Sequence, residues 1–283
     1  MRRGALVLCG GRSTRMGRDK ATLPFGGEPL LARVVRLLAP AVEEVVVVAR
    51  PGQDLPVLPV PVVVARDEVA DEGPLRGLAA GLRAARTDAL YATATDVPLL
   101  RRAVVDLLFA RLEGASVAVA EAEGFLHPLA AVYRRAVLPE VEALLAAGAR
   151  RPADLFARVE TVRVGEADLR AVDPALEALA NLNTPEAYEA ALARLARSRT
   201  VELYEHARRL AGTAEVEVEA TTLGEALLAL GRLCPALEGR VVSEGRLAPH
   251  WRASVNGRRF VDDPATPLGP GDRLVIVSAL AGG

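Results

Sequence analysis

Lysine is almost absent from this sequence. Lys20 is the only lysine, and every other basic residue among the 35 is arginine. Arginine presents a planar fork of donors, whereas lysine carries a compact point charge on a flexible stem. Because Lys20 lies in a glycine-rich segment, we interpret it as a residue that a binding site uses for its point charge. A chance survivor of the compositional bias is the alternative.

Cysteine, excess charge and long apolar runs are also lacking. Cys9 and Cys234 are too few for a disulfide framework, so we expect a reducing, cytoplasmic environment. The formal net charge of −1 argues against a nucleic-acid partner. No apolar stretch is long enough to span a bilayer without a charged interruption, and the run at 5–9 is too short for a signal peptide, so we expect no membrane association.

The first two thirds of the chain alternate short apolar segments with amphipathic ones. The 283 residues are 51% hydrophobic and 25% charged, as in globular proteins with filled cores. The predicted strands are 5–9, 45–49, 62–65, 89–94 and 116–120, and the predicted helices are 30–38, 75–85, 101–112 and 136–146. This alternation predicts an α/β, Rossmann-like domain with a mostly parallel sheet covered by helices on both faces. Ligands bind at the carboxyl ends of strands in such sheets.

A different pattern begins near residue 198, so we predict two domains, 1–197 and 198–283. The predicted strands of the second are 200–204, 215–219, 252–255 and 273–277. A helix opens with the capping-box pattern that begins at Thr222, and Asn256-Gly257 predicts a hairpin turn. The result is a small α+β domain in which a mixed sheet holds one main helix.

The strongest motif directly follows the first predicted strand. It reads Leu8-Cys9-Gly10-Gly11-Arg12-Ser13-Thr14-Arg15-Met16-Gly17-Arg18-Asp19-Lys20. Adjacent glycines allow backbone N–H groups to approach anionic oxygens, and three cations add charge for phosphates. The spacing fits neither a Walker A loop nor the dinucleotide fingerprint. We therefore predict a phosphate-binding loop of another kind, with a tight turn bearing solvated arginines as the alternative.

Two further segments end predicted strands. Asp67 precedes a Gly73-Pro74-Leu75-Arg76-Gly77 stretch that alone predicts only a turn before a helix. Asp96 follows an apolar strand in Thr95-Asp96-Val97-Pro98. A carboxylate there can bind a hard divalent cation or cap the next helix.

These segments resemble, in the same order, the signature motifs of the molybdenum cofactor guanylyltransferases, a family within the sugar-nucleotide-type nucleotidyltransferases. The resemblance covers residues 4–196. It implies that Asp96 binds Mg²⁺ and that Arg15 and Lys20 hold a triphosphate. The nucleotide-binding residues that it implies are Leu8, Cys9, Gly10, Gly11, Lys20, Asp67, Gly73, Pro74, Gly77 and Asp96.

Weaker matches suggest contacts with a pterin substrate. His127 precedes a proline, Arg150 lies in a basic turn, and Asn181 and Asn183 belong to an Asn-x-Asn-Thr-Pro segment. A structural histidine, a solvated turn and a local helix cap at Asn183 are the alternatives. Asn181 has no evident capping role, so it is the stronger functional candidate of the two asparagines. Thr184 is expected to cap the helix that begins at Pro185.

The resemblance implies transfer of GMP from GTP to molybdopterin with release of pyrophosphate. Lys20, Arg15 and Asp96 would be the catalytic residues, and Mg²⁺ the cofactor. Such transfer needs in-line positioning and charge neutralisation rather than a covalent nucleophile. A cytidylyltransferase, a sugar nucleotidyltransferase and a catalytically inactive binding protein with a ubiquitin-like interaction module remain alternatives.

The second domain resembles the small, ubiquitin-like subunit of molybdopterin synthase. The matching segments are Leu210-Ala211-Gly212, Ala253-Ser254-Val255-Asn256-Gly257, Asp272-Arg273-Leu274 and the final Gly282-Gly283. The resemblance implies a β-grasp fold whose Gly283 carboxylate is adenylated by an activating enzyme and converted to a thiocarboxylate. The large synthase subunit would be the second partner. A thiamine-type sulfur carrier and simple terminal fraying are the alternatives.

Overall fold

The computed structural model describes residues 1–9, 19–66 and 73–279. The chain divides into two compact units, Met1–Tyr188 and Glu189–Gly283. The division falls within the helix Pro185–Arg197, and the predicted boundary after residue 197 lies at the end of that helix.

The elements of the first unit alternate between strand and helix over most of its length. In chain order they are β1 (Arg3–Leu8), β2 (Pro24–Phe25), β3 (Glu28–Pro29), α1 (Leu30–Leu38), β4 (Glu44–Ala49), β5 (Val63–Arg66), α2 (Pro74–Ala84), β6 (Ala89–Ala94), α3 (Arg102–Arg111), β7 (Val117–Ala122), β8 (Phe125–Arg134), α4 (Leu138–Ala146), β9 (Thr161–Val164), α5 (Glu166–Val172) and α6 (Pro185–Arg197).

The main sheet of this unit has the strand order β5-β4-β1-β6-β8-β7-β9. Its pairings are parallel except those of β8, which runs antiparallel to both β6 and β7. This confirms the predicted α/β class and the mostly parallel sheet. The strand order reverses at β1, because the chain adds β4 and β5 on one side and β6 on the other. The carboxyl ends of β1 and β6 therefore flank a topological switch point, where ligands bind in such sheets.

Alternate residues of β1 enter two separate apolar cores. Ala5 and Val7 pack in the core that contains α1 and α3, whereas Leu6 and Leu8 pack in the core that contains α2 and α4. Successive strand residues point to opposite faces, so both faces of the sheet are buried. This explains why β1, β4 and β6 are apolar runs rather than alternating segments.

Helix α2 packs closely on β1 because two of its residues have no side chain. A Cβ at Gly81 would lie 1.5 Å from Leu6 Cδ1, and a Cβ at Gly77 would lie 2.8 Å from Leu8 Cδ2. Neither distance is compatible with an alanine unless a neighbour moves. The two glycines therefore set the separation between α2 and the strand that leads to the glycine-rich loop.

The second unit contains a shorter set of elements. They are β10 (Ser198–Leu203), α7 (Glu205–Ala211), β11 (Glu215–Glu219), α8 (Leu223–Leu233), β12 (Val242–Ser243), β13 (Arg246–Leu247), β14 (Trp251–Val255), β15 (Arg259–Val261) and β16 (Arg273–Ser278).

A five-stranded mixed sheet forms the body of this unit, in the order β11-β10-β16-β14-β15. Strands β10 and β16, the first and last of this unit in chain order, pair in parallel at the centre of the sheet, and the other pairings are antiparallel. Helix α8 buries Leu223, Leu227 and Leu230 in the core shared with this sheet. A helix held by such a sheet is the β-grasp arrangement, which confirms the predicted fold.

Two local predictions in this unit are also confirmed. The Thr222 side chain accepts a hydrogen bond from the Glu225 N–H at 3.3 Å, so Thr222 caps α8. Asn256 and Gly257 both have positive φ, at 56° and 66°, between β14 and β15. Positive φ at both central residues is the requirement of a type I′ turn, and the Arg258 N–H donates to the Val255 carbonyl at 3.1 Å across it. Within the described residues, no helix is long and apolar enough to cross a membrane.

The close packing of α2 generates a stability prediction. We expect Gly81→Ala to destabilise the first unit by about 1–3 kcal/mol, because the added methyl overpacks against Leu6 by more than the improved helix propensity offsets. Denaturant unfolding of single and double variants measures the effect. Leu6→Val removes the opposing methyl, so the double variant should cost less than the sum of the two single changes. Additive costs would contradict the proposed contact.

Candidate functional site

The ends of β1 and β6 are joined at the switch point. Thr95, the residue after β6, donates to the Leu8 carbonyl oxygen through its backbone N–H at 3.1 Å and through Oγ1 at 3.2 Å. Thr95 is buried, so both bonds are shielded from water. The next residue, Asp96, is therefore fixed at the carboxyl edge of the sheet beside the strand that precedes the glycine-rich loop.

Three of the predicted site residues meet at this edge. The Nζ atom of Lys20 lies 2.8 Å from Asp96 Oδ2 and 2.9 Å from Asn183 Oδ1. The Lys20 and Asp96 side chains are only 19% and 16% exposed, so water screens the ion pair less than it would at an open surface. The structure thus brings together residues from the first, third and last motifs of the first unit.

Asn183, rather than Asn181, makes the contact with Lys20. The Leu182 N–H donates to the Asp96 carbonyl oxygen at 2.8 Å, which holds this segment against the end of β6. The Asn181 residue is exposed, and its carbonyl accepts from the Asn183 N–H. Thr184 caps α6, as predicted, by accepting from the Ala187 N–H at 3.2 Å. The cap therefore comes from Thr184, and the Asn183 side-chain oxygen accepts from Lys20.

A buried ion cluster anchors the turn that delivers Asn183. Arg101 Nε lies 3.0 Å from Asp173 Oδ1, and the same guanidinium pairs with Glu177. The second Asp173 oxygen accepts from the Ala178 N–H at 2.8 Å. Because a fully buried carboxylate is costly without such partners, this arrangement strongly fixes the path of the chain between α5 and α6.

The base of the glycine-rich loop is held by residues that the motif analysis did not assign. Asp19 accepts from the Ala21 N–H at 3.0 Å, from Arg50 Nη2 at 2.8 Å and from Gln53 Nε2 at 2.9 Å. Arg50 and Gln53 belong to the turn after β4. The signal that could have identified them is their place after a strand neighbouring β1, at the same carboxyl edge of a parallel sheet.

Cys9, the first residue after β1, has a thiol that is expected to be unreactive. Burial, more than any other influence, raises the pKa of the Cys9 thiol to about 11. The thiolate is the nucleophilic form of cysteine, and little of it exists near neutral pH when the pKa is this high. The geometry thus agrees with a reaction that has no covalent cysteine intermediate.

The Gly-Pro-Leu segment meets the basic turn that contains Arg150. Gly73 has φ +92°, and a Cβ there would lie 2.9 Å from the Arg150 carbonyl oxygen, so the position requires glycine. That same oxygen accepts from the Leu75 N–H at 3.2 Å. Pro74 begins α2, where it needs no N–H partner. The structure therefore joins a predicted nucleotide-binding segment to a predicted pterin-binding residue, whose side chain is exposed.

His127 lies within β8, opposite Ala120 and beside a shift in the β7–β8 register. Its Nε2 atom is buried and has no hydrogen-bond partner among the described residues. Within that part of the chain, no hydrogen bond or ion pair connects His127 to Lys20, Asp96 or Asn183. Its predicted role stays a prediction.

Several predicted residues lie outside the described ranges. They are Gly10, Gly11, Arg15, Asp67 and Gly283. Their roles therefore rest on the sequence alone.

Asp96 is the described residue best placed to hold a divalent cation. Its Oδ2 atom accepts from Lys20, and its Oδ1 atom accepts no hydrogen bond from the described residues. The described ranges contain no group of three or more His, Cys, Asp or Glu residues that could enclose a metal ion. Mg²⁺ usually takes one or two carboxylates together with substrate phosphates and water, so a single carboxylate fits this ion.

Comparison with known proteins places the first unit in a defined group. The family model described as MobA-like NTP transferase domain matches residues 5–162. A Rhodobacter capsulatus protein named molybdenum cofactor guanylyltransferase is 41% identical over 194 residues, which cover 66% of this chain and 93% of that protein. These matches confirm the resemblance drawn from the motifs.

Solved structures give the fold. The crystal structure of molybdopterin-guanine dinucleotide biosynthesis protein A from Archaeoglobus fulgidus aligns with a TM-score of 0.58 at 23% identity, covering 67% of this chain and 97% of that one. SAMP1 from Haloferax volcanii aligns at 31% identity over 30% of this chain and 99% of that one. The TM-score of the second match is 0.28, so the fold of the second unit rests on its own strand order.

The burial of Cys9 predicts an order of thiol reactivity. A pKa raised to about 11 leaves roughly one Cys9 in a thousand as thiolate at pH 8, whereas an ordinary cysteine is about one quarter ionised. Burial also raises the pKa of Cys234, but this residue is only half-buried, so reagents reach it more easily than Cys9. We expect iodoacetamide at pH 8 to alkylate Cys234 first, as measured by peptide mass spectrometry, and guanidinium chloride to equalise the rates. Faster alkylation of native Cys9 would contradict the described burial.

Proposed function

Since the chain belongs to the MobA-like NTP transferase family of nucleotidyltransferases, we propose that its first unit transfers GMP from GTP to molybdopterin and releases pyrophosphate. The name of the Rhodobacter capsulatus relative supports the choice of substrate. The observation that carries the proposal is the convergence of Lys20, Asp96 and Asn183 at the switch point of the sheet.

Lys20 is suited to the triphosphate because of its donor geometry. An ammonium group has three N–H donors, and those of Lys20 serve Asp96, Asn183 and, in the proposed complex, a phosphate oxygen. Lys20 thus remains oriented by its protein partners while it neutralises charge that develops on the departing pyrophosphate. Arginine presents a planar fork and does not reproduce this arrangement. This donor geometry is a physical reason for a lysine at position 20 in a chain whose other basic residues are arginines.

Mg²⁺ is the cofactor we propose, held by Asp96 Oδ1 and the phosphates of GTP. When bound, it would supply further charge neutralisation at the α-phosphate. Asp96 is positioned for this by the bonds that Thr95 and Leu182 make on either side. Arg15 completes the proposed catalytic set from the glycine-rich loop.

The remaining predicted residues divide between the two substrates. For the guanosine portion we propose the segment that contains Gly73, Pro74 and Gly77, together with Asp67. For the pterin we propose the Arg150 side chain, which is exposed, and the buried His127 Nε2 atom. Asn181 stays a candidate at the rim of the site, beside the Asn183 contact.

For the second unit we propose a role as a sulfur carrier. Its β-grasp sheet supports this role. The Gly283 carboxylate would be adenylated by an activating enzyme, converted to a thiocarboxylate and used with the large subunit of molybdopterin synthase. Both cysteines are free thiols, which agrees with the cytoplasmic setting we propose.

Substitution of the ion pair tests the first activity. We expect Lys20→Ala to lower kcat/KM by about 10²–10³-fold, the usual cost of one preorganised electrostatic contact, and Lys20→Arg to recover little of it. Asp96→Asn should weaken the dependence on magnesium. Pyrophosphate release in the presence of molybdopterin and each nucleoside triphosphate is the measurement.

Asp168→Asn is the matched control, because it removes one carboxylate from an exposed ion pair with Arg111 in the same unit. It should retain wild-type turnover. GTP should exceed CTP and UTP as substrate. A preference for CTP would replace the guanylyl assignment with the cytidylyl one, and wild-type turnover by Lys20→Ala would remove Lys20 from the mechanism.

Removal of the terminal glycines tests the second role. Deletion of Gly282-Gly283 should abolish thiocarboxylation and leave pyrophosphate release unchanged, since the nucleotidyltransferase residues lie in the first unit. Intact-mass measurement after incubation with an activating enzyme, ATP and a sulfur source detects the exchange of oxygen for sulfur. If the full-length chain shows no such exchange, the second unit is not a sulfur carrier.

A further inference from the structure

The Gln53 side chain lies between the two ends of the glycine-rich loop. Its Nε2 atom is 3.3 Å from the carbonyl oxygen of Cys9, the residue that precedes the loop, and 2.9 Å from Oδ2 of Asp19, the residue that follows it. Gln53 is only 7% exposed. One buried amide therefore connects the residues on either side of positions 10–18.

Gln53 is itself held by the turn after β4. Its Oε1 atom accepts from the Arg50 N–H at 3.0 Å, and its own N–H donates to the Arg50 carbonyl at 3.2 Å. Arg66, at the end of β5, donates through Nη1 to the carbonyl oxygens of Arg50 and Gln53, each at 2.9 Å. The amide thus projects from a turn braced by two neighbouring strands.

Asp19 transmits this restraint to Lys20. The Arg50 guanidinium and the Gln53 amide hold its carboxylate, which in turn accepts from the Ala21 N–H and so caps the short helical turn that begins at Lys20. Lys20 projects from that turn onto Asp96 and Asn183. Hydrogen bonds therefore connect the β4 turn to the backbone of this helical turn, and the Lys20 side chain extends from it to Asp96 and Asn183.

We propose that Gln53 is a positioning residue that connects Cys9 to Asp19 and, through Asp19, sets the place of Lys20 at the triphosphate. Arg50 contributes by forming an ion pair with the Asp19 carboxylate. The effect of Gln53 on turnover rests on the proposed nucleotidyl transfer, whereas its effect on the position of Lys20 does not. The two effects can therefore be measured separately.

The single lysine makes the position of Lys20 directly measurable. Acetylation of that one side chain, followed by peptide mass spectrometry, reports how firmly Asp96 and Asn183 hold the ammonium group. Asp96→Asn, which removes the charged partner itself, sets the upper limit of the rate. We expect Gln53→Met and Gln53→Glu to raise the rate several-fold toward that limit, while Asp168→Asn leaves it unchanged.

The substitutions of Gln53 should also lower turnover. Misplacement of a catalytic group by about 1 Å can lower the reaction rate by about 10²-fold. Gln53→Glu places a second carboxylate against that of Asp19, so we expect it to lower kcat/KM by about 10–100-fold. Gln53→Met should have a smaller effect of the same sign. Thermal unfolding of each variant shows that the proteins compared are folded at the assay temperature.

A reversed pair separates positioning from general destabilisation. In the double variant Asp19→Asn with Gln53→Glu, the introduced amide can donate to the introduced carboxylate. This restores the contact between positions 19 and 53 but not the bond to the Cys9 carbonyl oxygen, so the acetylation rate should move part of the way back toward that of the wild type. The proposal is overturned if folded Gln53→Met and Gln53→Glu acetylate and turn over as the wild type does, or if the double variant is no closer to it than either single one. If the wild type does not use GTP, the proposed function fails while the acetylation result still decides the role of Gln53.

Discussion

The ion pair between Lys20 Nζ and Asp96 Oδ2 is the interaction on which the candidate site of the first unit depends. It forms where β1 and β6 end side by side, because the strand order of the sheet reverses at β1. The carboxyl ends of parallel strands lie at one edge of the sheet, so residues that follow different strands come together there although they are far apart in the sequence. Thr95 fixes the carboxylate, and the segment anchored by Arg101 delivers Asn183 to the same ammonium group.

The two carboxylates beside the glycine-rich loop have different partners and different tasks. Asp19 is held by the Arg50 guanidinium and a buried amide, which suits a planar donor and a fixed structural contact. Asp96 is paired with the only lysine, whose tetrahedral donors can serve a protein partner and a ligand together. The contrast gives a physical reason for a lysine at position 20 and an arginine at position 50.

Hydrophobic periodicity predicts the individual helices and strands better than it predicts how strands pair or which side chains contact each other. The apolar runs that became β1, β4 and β6 were recognisable because both faces are buried, and Lys20 and Asp96 were recognisable from the motifs that contain them. Strands β8 and β9 are not among the predicted strands, and hydrophobic periodicity carries no information on the antiparallel direction of β8. The sequence favours Asn181 over Asn183 because Asn183 could be a helix cap, but Thr184 supplies that cap and Asn183 contacts Lys20. Gln53 was missed because its contacts arise from strand order.

We expect one triphosphate to lie against Lys20 and Asp96 at the switch point. The decisive experiment is a crystal structure of the chain with GTP and magnesium. It should show a phosphate oxygen within hydrogen-bond distance of Lys20 Nζ and a magnesium ion on Asp96. A nucleotide bound in another part of the chain, with the Lys20–Asp96 pair bare of phosphate, would contradict it.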